Sequence, residues 1–159
     1  MPADDLTHLT KTGTAWMVDV GGKAPTKRRA VASAKITMSA RAAAAVRTGD
    51  LKKGDAIGAA RIAGIMAAKK TAELIPLCHP IALTLVEIDI APLKDGFAVR
   101  AIVETVGPTG VEMEALTAAS VAALTIYDMA KALDRAMVIG EVRLEEKSGG
   151  RSGPFKRDA

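Results

Sequence analysis

Two charged side chains beside a long apolar segment are the first candidates for chemistry in this sequence. Asp128 and Lys131 lie three residues apart, so on a helix they would project from neighbouring points of one face and could pair or exchange a proton. An exposed surface salt bridge explains the same spacing. However, residues 115–127 carry no charge, and charge beside so apolar a segment requires a reason. Both interpretations stay open on the residues alone.

The opposite end of this apolar segment carries two carboxylates. Glu112 and Glu114 follow a turn that contains Thr109 and Gly110. At the start of a helix, the helix dipole would be enough to explain them. Alternatively, a carboxylate can accept hydrogen bonds from the adjacent N–H groups of a guanine-like or pterin ring, which no cationic side chain can do. Ring recognition would favour Glu114.

Two lysines stand near the ends of another predicted helix. Lys53 comes just before Asp55, which can cap that helix, and the unpaired N–H groups of a helix start favour an anion. Phosphate binding, a general acid role or a solvated loop lysine would all fit this position. Lys69 lies near the end of the same helix, where the negative end of the dipole explains it as well as ligand binding does.

A short loop between two prolines holds a histidine and the single cysteine. Pro76 and Pro80 flank this loop and restrict its backbone. His79 could shuttle protons near neutral pH, although a structural histidine is the more common case. Cys78 has no partner cysteine and no recognisable triad, which favours packing or ligand lining over covalent catalysis.

The length and composition of the chain indicate the number of domains and the cellular location. With 159 residues, the chain can form one compact domain but not two ordinary ones. Residues 1–29 lack the apolar run of a secretory signal, and no segment has the roughly 20 apolar residues of a membrane span. The single cysteine excludes an internal disulfide and a cysteine-rich metal site. We therefore expect a cytoplasmic protein with no membrane partner and no metal site.

Basic residues are clustered, although the net charge is only +4. Such clusters favour a polyanionic partner, either nucleic acid or a small polyphosphate, while a solvated surface is the simpler alternative. Only 3% of the residues are aromatic, which argues against stacking on single-stranded nucleic acid. The clusters lie at residues 23–29, 52–53, 69–70 and 147–156.

The elements that must position these residues follow from periodicity and turn signals. Their order is strand, helix, strand, strand, helix, strand, which predicts an α+β protein with the ferredoxin-like split βαβ arrangement. We expect an antiparallel four-stranded sheet with helices packed on one face. The predicted strands are 30–38, in which apolar and more polar residues alternate, 81–90, 97–106 and 137–144, with a hairpin turn at Lys94-Asp95-Gly96 between the second and the third. The predicted helices are 39–48, 55–73 and 111–133, and Ser39 and Asp55 can cap the first two.

Three regions are expected along the chain. A mobile basic N-terminal arm, residues 1–29, contains one docking strand at 16–20. A single catalytic domain covers residues 30–146, and a glycine-rich basic tail covers residues 147–159.

Several segments together resemble one enzyme family, the cyclic pyranopterin monophosphate synthases of molybdenum cofactor biosynthesis, also called the protein C family of that pathway. The resemblance covers roughly residues 6 to 156. Departures occur at Ala130, where relatives often have cysteine, and at Arg151, where lysine is common. The matching segments are MVDV at 17–20, KGD at 53–55, ARIAGI at 60–65, LIPLCHP at 74–80, TGVEMEALTA at 109–118, YDM at 127–129 with Lys131, and KSGG at 147–150.

This resemblance implies a lyase that converts a cyclic dihydro-GTP intermediate into cyclic pyranopterin monophosphate and releases pyrophosphate. It implies that Asp128 is catalytic with Lys53 and Lys131 close by, and His79 is the candidate proton shuttle. No cofactor is required, although Mg²⁺ can accompany the triphosphate or the pyrophosphate. The implied substrate-binding residues are Leu77, Cys78, His79, Met113 and Glu114, with Arg28, Lys69, Glu112 and Lys147 also at site positions.

The resemblance also implies homo-oligomers, as hexamers built from three dimers. Independently of the resemblance, fourteen helical steps separate Glu114 from Asp128, which corresponds to ~21 Å. A compact ring with a folded triphosphate would not easily contact both within one chain, so we expect sites shared between subunits. The competing functions are a nucleic-acid-binding protein and a noncatalytic nucleotide-binding regulator.

Overall fold

The computed structural model describes residues 7–158. The first six residues of the predicted arm and the last residue of the predicted tail lie outside this range. The elements in chain order are β1 (Thr26–Thr37), α1 (Ala40–Thr48), α2 (Ala56–Lys69), α3 (Thr71–Leu74), β2 (Leu83–Leu93), β3 (Gly96–Gly107), α4 (Glu112–Ala130), β4 (Val138–Ser148) and β5 (Phe155–Lys156).

The sheet has the predicted ferredoxin-like arrangement. Its strand order is β2-β3-β1-β4-β5, and every pair of neighbours is antiparallel. The α+β class is therefore confirmed, with five strands instead of the expected four. The fifth strand arises because residues 149–153 turn the tail back, so that Phe155 pairs with Lys147 and Lys156 with Glu146. Gly149, at φ 92°, makes this reversal without the strain that a side chain would add.

The helices pack on one face of the sheet through small side chains. Along α4, the alanines at 115, 118, 119, 122 and 123 are fully buried. In α2, Gly64 lies so near this helix that an added Cβ would be 3.1 Å from the carbonyl oxygen of Ala118. The alanine-rich composition thus allows α2 and α4 to approach closely, which fixes the two ends of α4 relative to the rest of the domain.

The ends of the helices follow the predicted caps in two cases. The side chain of Ser39 accepts a hydrogen bond from the backbone of Ala42 at 3.2 Å, and Asp55 accepts one from Gly58 at 2.9 Å. The predicted helix over 55–73 is instead divided. Lys70 leaves helical geometry, and the hydroxyl of Thr71 donates to the carbonyl of Ala67 at 3.1 Å, so a separate short helix follows.

The predicted arm differs from the structure in two respects. First, β1 begins at Thr26 rather than at residue 30, which places Arg28 within the sheet. Second, residues 16–20 do not form the predicted docking strand. In the described part of the arm, Leu9 and Ala15 make the isolated β-bridge, and the segment after it lies against a cavity. No helix within residues 7–158 is long and apolar enough to cross a membrane.

Candidate active site

A cavity of about 420 Å³ lies where the arm meets the start of α4. We call it the glutamate pocket. The loop after α3 forms one wall, the first turn of α4 forms another, and the arm closes a third. Its lining includes Val18, Val20, Leu77, Cys78, His79, Glu112, Met113 and Glu114. Two neighbouring elements thus bring together the proline-bounded loop and the two glutamates, which are more than 30 residues apart in the sequence.

Among the residues that line this pocket, Glu114 has the most strongly shifted pKa. The residue is only 4% exposed, and burial raises the pKa of its carboxyl to about 7, with a smaller contribution from the charge of Glu112. Near neutral pH the Glu114 carboxyl therefore exists in both protonation states. It can accept two hydrogen bonds from a ring when ionised, or donate one when protonated.

This pKa predicts a pH-dependent effect of the Glu114→Gln substitution on stability. A carboxyl that titrates near 4.5 when unfolded and near 7 when folded stabilises the fold below pH 4.5, and this contribution is lost as the pH rises to 7. Glutamine has no such dependence. The free energy of unfolding of Glu114→Gln, relative to the wild type, should therefore increase across this window by up to about 3 kcal/mol.

Denaturant titrations at several pH values measure this difference, and the exposed position Glu73→Gln is the control for removing a surface carboxylate. A stability difference between Glu114→Gln and the wild type that is constant from pH 4.5 to 7 would contradict a raised pKa at Glu114.

His79 and Cys78 have different roles in the pocket. The Nε2 atom of His79 lies 2.6 Å from the carbonyl oxygen of Val18. Because a carbonyl can only accept, Nε2 carries the hydrogen, and in the neutral ring Nδ1 remains as an acceptor. Burial, and secondarily the charge of Glu114, raise the pKa of the Cys78 thiol. A protonated thiol is a poor nucleophile, which favours a packing role for Cys78.

A second cavity, of about 540 Å³, lies at the other end of α4. We call it the lysine–aspartate cavity. The Nζ atom of Lys53 is 2.8 Å from one carboxylate oxygen of Asp128, and that of Lys131 is 2.9 Å from the other. Lys53 also donates to the backbone carbonyl of Asp128 at 3.1 Å. Arg41 and Arg135 line the same cavity, which makes it strongly positive.

Asp128 is held in its ionised form by these contacts. The hydrogen bond from Lys53, followed by that from Lys131, lowers its pKa to about 2. The carboxylate is 56% exposed, so an isolated surface salt bridge would stabilise the fold little. What the arrangement supplies is two ammonium groups held beside one carboxylate, a geometry suited to phosphate binding and proton transfer.

The remaining predicted residues are divided between a third cavity and a depression beside β2, which shares Ile81 with the lining of the glutamate pocket. A groove of about 510 Å³, the basic groove, is lined by Lys23, Ala24, Thr26, Arg28, Gly150, Arg151 and Ser152. Beside it, Lys147 lies 3.7 Å from Glu112 of the glutamate pocket. Lys69 is not brought to any of these cavities, because it lines a shallow apolar depression beside β2.

Arg28 has a structural function in addition to its place in the groove. Its Nε atom donates to the carbonyl of Gly107 at 2.9 Å, and one terminal nitrogen donates to that of Pro108 at 3.0 Å. These bonds fix the turn that leads into α4 and hence the position of the two glutamates. His8 and Lys23 were not among the predicted site residues, yet both line the glutamate pocket. Only the folding of the arm over the domain reveals them.

Among residues 7–158, no group of three or more histidine, cysteine, aspartate or glutamate side chains is arranged to hold an ion.

The chain is thus an α+β protein with cavities of small-molecule size, one lined by two glutamates and two lined by several basic residues. The model of the MoaC family matches residues 17–150, and the chain belongs to that family. This confirms the family resemblance of the sequence.

Curated relatives match nearly the whole chain. A protein of Novosphingobium aromaticivorans is 60% identical over 153 residues, which cover 96% of this chain and 98% of the relative. Proteins of Brucella ovis and Brucella melitensis are each 58% identical over 152 residues, covering 94% of this chain and 92% of the relative. All three relatives bear the name cyclic pyranopterin monophosphate synthase.

Proposed function

We propose that the chain is a cyclic pyranopterin monophosphate synthase of molybdenum cofactor biosynthesis. It converts a cyclic dihydro-GTP triphosphate into cyclic pyranopterin monophosphate and releases pyrophosphate. The observation that carries this proposal is the 60% identity, over 96% of the chain, to a relative with that name. The geometry supports it, since the glutamate pocket suits a ring rich in N–H donors and the lysine–aspartate cavity suits phosphate.

The chemistry of the product defines what the site must do. A cyclic phosphate and free pyrophosphate arise from a triphosphate when a hydroxyl of the same molecule attacks the innermost phosphorus and the two outer phosphates leave together. The hydroxyl loses its proton to solvent or to an oxygen of the pyrophosphate, and the pyrophosphate leaves with the electrons of the broken P–O bond and so gains negative charge. Lys53 and Lys131 supply ammonium groups that neutralise this charge, and the ionised Asp128 orients both.

The ring end of the substrate is assigned to the glutamate pocket. The Glu114 carboxyl binds the N–H groups of the ring, while Leu77, Cys78 and Met113 pack against it. His79 offers Nδ1 as a proton acceptor, since its Nε2 hydrogen is engaged by Val18. Glu112 acts with Lys147, to which it is paired at 3.7 Å. Arg28 and Lys147 are assigned to phosphate, and Lys69 has a more remote electrostatic role.

Each active site is shared between two subunits of a homo-oligomer. The glutamate pocket and the lysine–aspartate cavity lie at opposite ends of α4, and the fourteen steps from Glu114 to Asp128 correspond to ~21 Å. Two-fold packing of a second copy would bring the start of one α4 near the end of the other. The outer side of α4 is uncharged from residue 115 to 127 and exposes Leu124 by 56%. A hexamer of three such dimers is the proposed assembly.

The proposal includes a small-molecule substrate and no nucleic acid. Lys27 and Arg29 of the largest basic cluster pair with Glu104 at 3.6 and 3.5 Å, which reduces the positive surface available to a polynucleotide. No cofactor is required, and Mg²⁺ would enter only with the triphosphate or the pyrophosphate. The single cysteine favours a cytoplasmic location.

Incubation with the cyclic dihydro-GTP triphosphate tests the proposed function. We expect one pyrophosphate to be released for each triphosphate consumed, measured with a pyrophosphate-specific coupled assay. Heat-denatured protein is the control for spontaneous breakdown. Recovery of unchanged ligand that is nevertheless bound would indicate a noncatalytic nucleotide-binding protein instead.

A further inference from the structure

Lys23 lies at the boundary between two cavities. It lines the glutamate pocket together with Val18, Val20 and Glu114, and it also lines the basic groove together with Arg28 and Arg151. The first cavity is suited to a ring and the second to anionic groups. A side chain at their junction can contact a phosphate attached to a ring in the pocket.

The backbone around Lys23 is held in a defined turn. The amide of Lys23 donates to the carbonyl of Val20 at 3.0 Å, and the side chain of Asp19 accepts from Gly21 at 2.8 Å. Just before this turn, the Val18 carbonyl is bound by the ring of His79 at 2.6 Å. The arm is therefore attached to the wall of the glutamate pocket at Val18, and the turn directs the chain from the pocket to the groove.

Lys23 differs from two basic residues nearby in what its charged group contacts. Lys147 is near the carboxylate of Glu112, and Arg28 donates to two backbone carbonyls. Within residues 7–158, by contrast, the Lys23 ammonium has no carboxylate within 4.0 Å. Lys23 is exposed, so a ligand can bind its charge without breaking an ion pair to any carboxylate of residues 7–158.

We propose that Lys23 is a phosphate-binding residue, which the arm delivers to the junction of the glutamate pocket and the basic groove. The identification of its ligand as the phosphate chain of a nucleotide rests on the proposed function. A lysine bound to phosphate forms a charge-assisted hydrogen bond, which is stronger than a neutral one. The attachment of Val18 to His79 couples this residue to the ring end of the site.

The test uses Lys23→Gln, with Lys11→Gln as a matched control. Lys11 is an exposed lysine of the same arm that lines none of the three cavities. Binding of inorganic tripolyphosphate is measured by calorimetry at two salt concentrations. We expect Lys23→Gln to weaken this binding about tenfold at low salt, and less at high salt because the attraction is screened. Lys11→Gln should bind within about twofold of the wild type.

Turnover separates this inference from the proposed function. With the cyclic triphosphate as substrate, Lys23→Gln should raise KM about tenfold and leave kcat within about threefold, because a group that binds the phosphate equally in ground and transition states affects only KM. Lys23→Arg should restore most of the affinity.

If the wild type releases pyrophosphate but Lys23→Gln has the same KM and the same tripolyphosphate affinity as the wild type, the role of Lys23 is excluded. If the wild type releases none while Lys23→Gln still weakens tripolyphosphate binding, the anion site stands and the proposed function fails.

Discussion

Replacing Lys53 or Lys131 with alanine should lower kcat by about a hundredfold or more while the fold stays intact. Both ammonium groups contact the Asp128 carboxylate, at 2.8 and 2.9 Å. In the proposed reaction, removing either one takes away a proton donor or a charge that stabilises the leaving pyrophosphate, and each such group contributes about this much to catalysis. Both side chains are about half exposed, so neither fills core volume.

Circular dichroism tests whether the fold of each variant stays intact, and steady-state kinetics measures the loss of kcat. Lys94→Ala, in the exposed turn between β2 and β3, is the control for loss of a surface lysine and should keep the wild-type kcat. Near wild-type turnover in both Lys53→Ala and Lys131→Ala would exclude the proposed catalytic role of the lysine–aspartate cavity.

Mixing two inactive variants should restore activity if each site is built from two subunits. Glu114→Gln damages the glutamate pocket and Asp128→Asn damages the lysine–aspartate cavity. In a mixed dimer, one shared site receives both damaged ends and the other receives neither. With equal amounts and random exchange, half of the dimers are mixed and each has one intact site, so activity should return to about a quarter of the wild-type value.

Subunit exchange must be demonstrated independently, for example with two affinity tags on the two variants. A tagged mixture that co-purifies but remains as inactive as either parent would place Glu114 and Asp128 in the site of one chain. A mixture of two Asp128→Asn preparations with different tags is the matched control and should stay inactive.

Local patterns were sufficient to predict the fold. The Lys94-Asp95-Gly96 turn and the caps at Ser39 and Asp55 each depend on signals that act over a few residues, and the structure has them at the predicted places. The alternation of β1 predicted the strand but not its start, which lies at Thr26 instead of residue 30. The fifth strand could not be predicted, because two residues of tail form a strand only through pairing with Glu146 and Lys147. Such pairing is a tertiary property that no local propensity encodes.

Individual residues of the candidate site could be predicted from the sequence immediately around them, but most contacts between them could not. The three-residue spacing was enough to predict that Asp128 and Lys131 lie together, and the flanking prolines were enough to select His79 as a candidate. The contact between Lys53 and Asp128 joins residues 75 positions apart, and no spacing rule connects them. Lys23 was missed as an individual residue because its place between two cavities depends on the path of the arm.

The most direct test of the proposed reaction follows the oxygen atoms bound to phosphorus. The cyclic triphosphate is incubated with the protein in water labelled with heavy oxygen, and the products are analysed by phosphorus NMR and mass spectrometry. If a hydroxyl of the substrate displaces pyrophosphate, the product is cyclic pyranopterin monophosphate and no labelled oxygen is bound to its phosphorus or to the pyrophosphate. Labelled oxygen on the phosphorus of a linear monophosphate would show hydrolysis by water instead, and would contradict the synthase function.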